Sequence, residues 1–203
     1  MGCRLSCARC QRCRRSTGGG RAASAAEVWP TGPGFEFNLA VPLQGRPRDH
    51  ACQPARFYRW EVQRDRLELS RPIRAWGERA GHASRRLGPI VGIEVVQRNP
   101  ADRPSRYRLT DETGRTADLS AEELRVACNM TVQGLPEITN QTRVRSGDLE
   151  MAFSGAQVRI AGRGFGHGVG MCQWCAKVFA DRGEPWHRNI LRVYPGARLE
   201  RAD

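Results

Sequence analysis

Five glycines alternate with other residues between positions 162 and 170, and this array constrains the fold more than any other feature of the sequence. Glycine loses much conformational freedom on folding, so it disfavours both helices and strands. The array therefore predicts a loop, placed between a strand at Gln157–Ala161 and a helix from Cys172 to Arg182 that Gly183 ends. The glycines let the loop approach a ligand or another backbone closely, and the helix N-terminus could hold an anion or a hydroxyl-rich group.

Two nucleotide-binding patterns do not fit this loop. No Gly-Lys-Ser/Thr closes it, as a Walker A loop would require. The dinucleotide pattern fails at its last glycine, and no βαβ unit follows the upstream strand. His167 lies between Gly166 and Gly168, which disfavours packing in a helix core. Two roles stay open for this histidine: structural hydrogen bonding, and binding or proton transfer.

The rest of the sequence alternates β-favouring runs with a few helical segments, which predicts an α+β fold of mainly antiparallel strands with three or four helices. The predicted strands are Phe35–Val41, Phe57–Val62, Ile90–Val96, Arg106–Thr110, Arg115–Leu119, Leu149–Phe153, Gln157–Ala161 and a last one over Ala197–Arg201. Gly114 suits a positive φ in the hairpin between the fourth and fifth of these. Further helices are predicted from Ser120, with Glu123 completing a capping box, and over Pro185–Val193.

One further helix is suggested by Asp65 and Glu68, which have the spacing of a capping box. Pro72 follows only a few residues later. Proline inside a helix removes a backbone hydrogen bond and clashes with the preceding turn. We therefore expect Pro72 to cut this helix short.

The chain is strongly basic, with a formal net charge of +12, and Lys177 is its one lysine. A basic surface favours polyanions such as nucleic acid, anionic lipid or an anionic wall polymer, and charge alone does not choose among them. The sequence contains no run of eighteen apolar residues, so no membrane span is predicted. Met1 to Arg15 contains no apolar segment of the kind that a signal peptide needs.

The eight cysteines are unevenly distributed. Four lie in the first thirteen residues, two are isolated, and two form a C-x-x-C pair; in order they are Cys3, Cys7, Cys10, Cys13, Cys52, Cys128, Cys172 and Cys175. The C-x-x-C pair suits a redox couple or half of a zinc site, for which Cys7, Cys10 and Cys13 could supply further ligands. A thioredoxin-like context is missing. We favour buried or free thiols, and assign no metal site and no cofactor.

The glycine array and the residues that follow it resemble a known family. The array and its continuation read Gly162-Arg-Gly-Phe-Gly-His-Gly-Val-Gly-Met-Cys-Gln-Trp. This run is similar to the GxGxGHGVGMSQWGA signature of the SpoIID/LytB family, which comprises stage II sporulation protein D and amidase enhancers. Tyr194-Pro-Gly, after the predicted helix, resembles the closing ILxxYYPG run of that family.

Upstream segments resemble the same family in the same order. The family's STCGGRT…EVW segment is similar to Ser16-Thr-Gly-Gly-Gly-Arg followed by Glu27-Val-Trp. Its C…YxWEV stretch is similar to Cys52 followed by Tyr58-Arg-Trp-Glu-Val. Ile93–Arg98 and Leu119–Arg125 also match in order and spacing. The resemblance covers roughly residues 13–201, which gives a SpoIID/LytB-like domain over 14–203 and an unmatched Cys/Arg-rich segment over 1–13.

The resemblance implies an extracytoplasmic, cell-envelope protein that binds peptidoglycan glycan strands. Some family members cleave these strands as lytic transglycosylases, and others enhance a partner amidase. The family's catalytic glutamate lies in a GEMP-like context, which this sequence lacks, so we expect this chain to be inactive alone. Glu27, Glu61, Glu94 and Glu123 have ordinary structural explanations and are not assigned to catalysis.

Two positions at which some family members carry zinc ligands differ here, because Arg15 stands for a histidine and Gly18 for a cysteine. Cys175 likewise replaces a glycine of the signature. The resemblance assigns substrate binding to the loop and its neighbours: Ser16, Thr17, Gly164, Gly166, His167, Gly168 and Gln173. The alternatives are a non-catalytic amidase enhancer and a basic nucleic-acid-binding module; the scattered arginines, without a nucleic-acid motif, argue against the latter.

Overall fold

The computed structural model describes residues 5–6, 51–99, 102–168, 171–193 and 198–199. Within these ranges the chain has the α+β arrangement that the sequence predicts, with four α-helices and two antiparallel three-stranded sheets. The strands are β1 Leu5–Ser6, β2 Arg59–Asp65, β3 Ile90–Arg98, β4 Pro104–Asp111, β5 Thr116–Ser120, β6 Leu149–Ser154, β7 Gln157–Arg163 and β8 Arg198–Leu199. The helices are α1 Arg66–Ala80, α2 Ala121–Cys128, α3 Gln173–Asp181 and α4 Trp186–Val193, with a 3-10 helix at Ala83–Arg86.

The first three-stranded sheet has the order β2-β7-β6. β6 and β7 form a hairpin, and Gly155 at its turn has a φ of 57°, which glycine adopts at little cost. β2 pairs antiparallel with β7 in a register that places Trp60 opposite Gly162. Trp60, Val62 and Arg64 face the interior from β2, as the alternation of a half-buried strand requires.

The second sheet has the order β3-β4-β5. Its β4–β5 hairpin turns at Gly114, whose φ is 81°, so the predicted role of this glycine is confirmed. β3 carries register shifts against β4, and its exposed positions include Glu94. Outside the sheets, β1 and β8 pair antiparallel over two residues each. Across the described ranges, the helices are too short or too polar to cross a membrane.

One buried core joins the two sheets to α1 and α2. It includes Leu69 and Ile73 from α1 and Leu124 from α2, all fully buried. Tyr107 connects the sheets: its hydroxyl lies 2.9 Å from the carbonyl oxygens of Gly147 and Leu149. Burial raises the pKa of this phenol above its usual range, so it remains a neutral donor.

Helix α1 corrects the expectation about Pro72. The helix begins after Asp65, whose carboxylate accepts from the amide of Leu67 at 2.7 Å, and it continues through Pro72 to Ala80. Proline within a helix costs about 3 kcal/mol. The prediction was wrong because Leu69 and Ile73 are buried one turn apart on the core face, and burying each contributes about 1.5–3 kcal/mol.

Helix α2 begins as the sequence predicts. The Ser120 hydroxyl accepts from the amide of Glu123 at 3.2 Å, and the Glu123 carboxylate accepts from the amide of Ser120 at 2.7 Å. This reciprocal capping box satisfies two of the amide groups that a helix start leaves without internal partners.

Candidate functional site

The glycine array forms a loop between β7 and α3, as predicted. Gly164, Gly166 and Gly168 have φ values of 73°, 92° and 73°, a region that other residues rarely adopt. Gly162 still belongs to β7, and Gly170 lies outside the described residues. The alternation of glycine thus reflects alternate backbone positions that need left-handed geometry.

Backbone hydrogen bonds attach the loop to the rest of the fold. The amide of Gly164 donates to the carbonyl of Tyr58 at 3.0 Å, and the amide of Gly166 donates to the carbonyl of Arg145 at 2.7 Å. The indole of Trp60 donates to the carbonyl of Gly164 at 2.8 Å. The sequence left open whether the glycines let the loop approach a ligand or another backbone. The amides of Gly164 and Gly166 approach another backbone.

A side chain from the turn between β3 and β4 of the second sheet reaches the end of the loop. A Cβ on Gly168 would lie 2.6 Å from the guanidinium of Arg103, so this arginine packs directly against the loop. Arg103 is itself positioned by its amide, which donates to the side-chain oxygen of Asn99 at 2.9 Å. The loop is therefore held from both sheets.

Aromatic and cationic side chains lie beside the loop. Phe165 is 67% exposed, and its ring centroid lies 5.9 Å from that of Phe57. The guanidinium groups of Arg145 and Arg56 lie 4.4 Å and 5.2 Å from the Phe57 centroid, within cation–π distance. We call Phe57, Phe165 and Arg56 the Phe57–Phe165 surface; Arg145, which also contacts Phe57, is buried.

The predicted site residues that the structure describes lie in or beside the loop. Gly164, Gly166, His167 and Gly168 form one continuous segment, in which His167 is half-buried. Gln173 is the first residue of α3 and is exposed. Ser16 and Thr17 lie outside the described residues. The sequence reading missed Phe57, Arg56 and Arg145, because their approach to Phe165 depends on the pairing of distant segments.

A second group of reactive side chains lies at the start of α3. The sulfur atoms of Cys52, Cys172 and Cys175 all lie within 4.8 Å of one another. Cys172 is the N-cap of α3, and its sulfur accepts from the amide of Cys175 at 3.4 Å. Cys52 comes from two consecutive turns before β2, and Cys128 is buried elsewhere.

The three thiols shift one another's acidity. A hydrogen bond from the Cys175 thiol, with the Cys175 amide in support, lowers the pKa of Cys172 to about 5. The same hydrogen bond raises the pKa of Cys175, and burial raises that of Cys52. The hydrogen bonds within the cluster therefore favour the thiolate form of Cys172 over that of Cys175.

Three of the glutamates that the sequence analysis considered, Glu61, Glu94 and Glu123, make structural contacts. Glu61 is exposed and pairs with Arg159 at 2.6 Å, and the hydrogen bond from that arginine lowers its pKa. A general acid for glycosidic cleavage needs the opposite shift. Glu94 lies 3.7 Å from Arg108, and Glu123 serves the capping box.

Comparison with known proteins places the chain in a family. The family model described as Domain of unknown function (DUF8618) matches residues 43–170, well over half of the chain. The chain belongs to the DUF8618 family. The match includes both three-stranded sheets, α1, α2, Cys52 and the glycine loop, and it ends before Cys172 and Cys175.

This DUF8618 chain is also similar to stage II sporulation protein D. It is 34% identical to the protein of that name from Bacillus amyloliquefaciens and 33% identical to that from Bacillus subtilis (strain 168). Each match covers 67 residues, which is 33% of this chain and 20% of the relative. The chain thus spans about a fifth of the length of these curated relatives. The resemblance is supported over a third of the chain; its extension over residues 13–201 stays a prediction.

Proposed function

We propose that this DUF8618 chain binds peptidoglycan glycan strands through the Phe57–Phe165 surface. The observation that carries this proposal is the presentation of Phe165, which is 67% exposed on a loop that both sheets hold. An exposed aromatic ring on a well-anchored loop favours a ligand-binding role over a merely structural one.

The chemistry of this surface suits an amphipathic saccharide with acidic side groups. The exposed ring of Phe165, with the half-buried ring of Phe57 beside it, offers apolar area for the C–H faces of sugar rings. Arg56 is exposed and presents several N–H donors, which pair well with the carboxylates of peptide stems. Arg145 is buried, and its guanidinium donates to the carbonyls of Arg143 and Asn140, so it supports the ring of Phe57 from within. Beside them an open recess of about 380 Å³ is lined by Gln53, Ala55, Tyr58 and Arg59, and adds further polar groups.

The similarity to stage II sporulation protein D supports a role in cell-wall remodelling or sporulation, at the cell envelope. The SpoIID/LytB family, which the sequence resembles, includes strand-cleaving transglycosylases. We propose binding without cleavage for this chain alone. Glu61 does not suit the role of a general acid, since it is paired with Arg159 and its pKa is lowered.

Retention on purified peptidoglycan sacculi tests the proposal. The protein is incubated with sacculi at low and high salt, with double-stranded DNA as competitor, and the pelleted fraction is measured. Phe165→Ala is compared with Leu67→Ala, which removes another apolar side chain that is 53% exposed, but from α1. We expect salt-tolerant retention that DNA does not displace, lost in Phe165→Ala and kept in Leu67→Ala.

Two results would reject the glycan proposal. Retention that falls steeply with salt and is stripped by DNA would mean that the charge of +12 explains adhesion, which favours the nucleic-acid alternative. Equal retention of Phe165→Ala and Leu67→Ala on sacculi would show that the Phe57–Phe165 surface does not bind the glycan.

An amidase partner is the second candidate function. Trp174 in α3 and Trp186 in α4 are 51% and 56% exposed, and exposed tryptophans are enriched in protein interfaces. These residues favour contact with another protein. A cell-wall amidase assayed on sacculi with and without this chain tests it: stimulation that Trp186→Ala abolishes supports the enhancer role, and unchanged amidase activity rejects it.

A further inference from the structure

The proposed glycan-binding surface makes no use of the three clustered cysteines. They come from two segments far apart in the sequence, one before β2 and one at the start of α3. Cysteines in such convergent groups are uncommon without a chemical reason, because their reactivity rather than their packing usually decides where they occur.

We propose that Cys52, Cys172 and Cys175 bind a zinc ion. Thiolates are soft ligands, and three of them with one further ligand form a common tetrahedral zinc site. This site differs from the zinc positions of the resembling family, which correspond to Arg15 and Gly18 here. The proposal revises our expectation of buried or free thiols, and it does not depend on the glycan-binding role.

The geometry is close to that of a zinc site. Zn–S bonds of about 2.3 Å in a tetrahedron place the sulfur atoms roughly 3.8 Å apart. The three sulfur atoms here lie within 4.8 Å of one another, so a shift of about 1 Å brings them to that spacing. Cys172 and Cys175 supply the chelating pair from one helical turn, and the Cys175 amide already donates to the Cys172 sulfur.

The ligand count favours zinc over other thiolate-bound groups. Iron–sulfur clusters are usually held by four cysteines. Among the described residues, no further His, Cys, Asp or Glu belongs to this group of three. A three-thiolate zinc site is complete with water as the fourth ligand, and we assign water to that position.

Zinc at this position would connect the segments that lie on either side of the candidate glycan-binding loop. Cys52 leads through two turns to Tyr58, whose carbonyl accepts from Gly164 at the start of the loop. Cys172 caps the helix that follows the loop. A metal bond between these two segments therefore fixes the distance between the two ends of the loop.

The experiment must separate this site from the N-terminal cysteines. We would use the full chain with C3S, C7S, C10S and C13S combined, kept reduced, and titrate it with zinc and with cobalt(II) as a spectroscopic probe. We expect one metal ion per chain, with thiolate-to-cobalt charge-transfer absorption and the ligand-field bands of a tetrahedral complex.

Single substitutions in that background test the ligands. C52S, C172S and C175S should each weaken zinc binding by more than the roughly 10- to 100-fold cost of losing an outer-shell partner. C128A, at a buried cysteine outside the cluster, should bind like the background. Circular dichroism confirms that each variant is folded.

Three results would overturn the proposal. The first is no metal binding by the folded four-serine background. The second is C52S binding zinc as tightly as the background does, since the pair in α3 would then suffice. The third is a disulfide within the cluster that persists after reduction and excludes the metal. Because the readout is metal content and not glycan retention, its failure is distinct from failure of the proposed function.

Discussion

The indole ring of Trp60 fills the space that a side chain on Gly162 would need. A Cβ at position 162 would lie 2.2 Å from the indole and 2.8 Å from the carbonyl oxygen of Asp148. The same indole donates to the carbonyl of Gly164 at 2.8 Å. Trp60 therefore packs against β7 at Gly162 and also holds the first residue of the loop, Gly164, through a hydrogen bond.

We expect Gly162→Ala to destabilise the protein by about 1–3 kcal/mol, because neither the indole nor the Asp148 backbone can move freely away from the added methyl group. The free energy of unfolding in urea measures this. Gly92→Ala is the matched control, since its Cβ would lie at an ordinary 3.7 Å from Thr110. Equal losses of stability in the two variants would contradict the packing argument.

Arg64 is a buried cation whose role is structural. Its guanidinium donates to the carbonyls of Cys128, at 2.5 Å, and Thr142, at 2.9 Å from Nε. Arg64→Met leaves these carbonyls without their donor, at roughly 1–3 kcal/mol for each. Chemical denaturation should show this loss, whereas Arg159→Ala, which removes an exposed arginine paired with Glu61, should barely shift the midpoint. A stable Arg64→Met would show that water or neighbouring groups replace the arginine.

Asp111 should make stability depend on pH in the acid range. Its carboxylate accepts from the amides of Gly88, Thr113 and Arg115 and from the Thr113 hydroxyl, at 2.8–2.9 Å. These bonds, the Gly88 amide first, lower its pKa to about 2. A depressed folded-state pKa stabilises the protein above the unfolded value near 4, and that contribution is lost as the pH falls toward 2.

The substitution Asp111→Asn tests this dependence through melting temperatures measured from pH 7 to pH 2. Wild type should be more stable than the variant at neutral pH, and the difference should shrink between about pH 4 and pH 2. A difference that stays constant over this range would show that the charge of Asp111 contributes nothing.

Gly166 and Gly155 provide a matched pair for the loop. Both have positive φ, 92° and 57°, and both would project a Cβ into open space. Alanine should cost about 1–2 kcal/mol at either position, because left-handed backbone disfavours a side chain. Only Gly166→Ala should weaken retention on sacculi, since Gly155 lies at the β6–β7 turn. Weaker retention of both variants would attribute the loss to stability alone.

The elements that sequence reasoning located are those with local signals. The Ser120–Glu123 capping box, the hairpin turn at Gly114 and the alternating burial of Glu61 and Glu94 all follow from neighbours within a few residues. Their free energies depend on backbone conformation and short-range hydrogen bonds. Such features can be predicted without knowing the rest of the fold.

Pro72 shows where local reasoning fails. Its helix-breaking tendency is a local property, but burial of Leu69 and Ile73 against the core outweighs it. The cysteine cluster shows the same dependence on tertiary structure. Cys52 looked isolated in the sequence, and only the chain path before β2 brings its sulfur to the C-x-x-C pair.

The sequence by itself determined the fold class, the loop at the glycine array and the family resemblance, because turns, caps and alternation act over short distances. Tertiary structure decided which side chains meet. The pairing of β2 with β7 carries Tyr58 and Trp60 to Gly164, and thereby Phe57 to Phe165. Contacts between distant segments depend on the sum of many weak packing and hydrogen-bonding terms, which no local pattern in the sequence encodes.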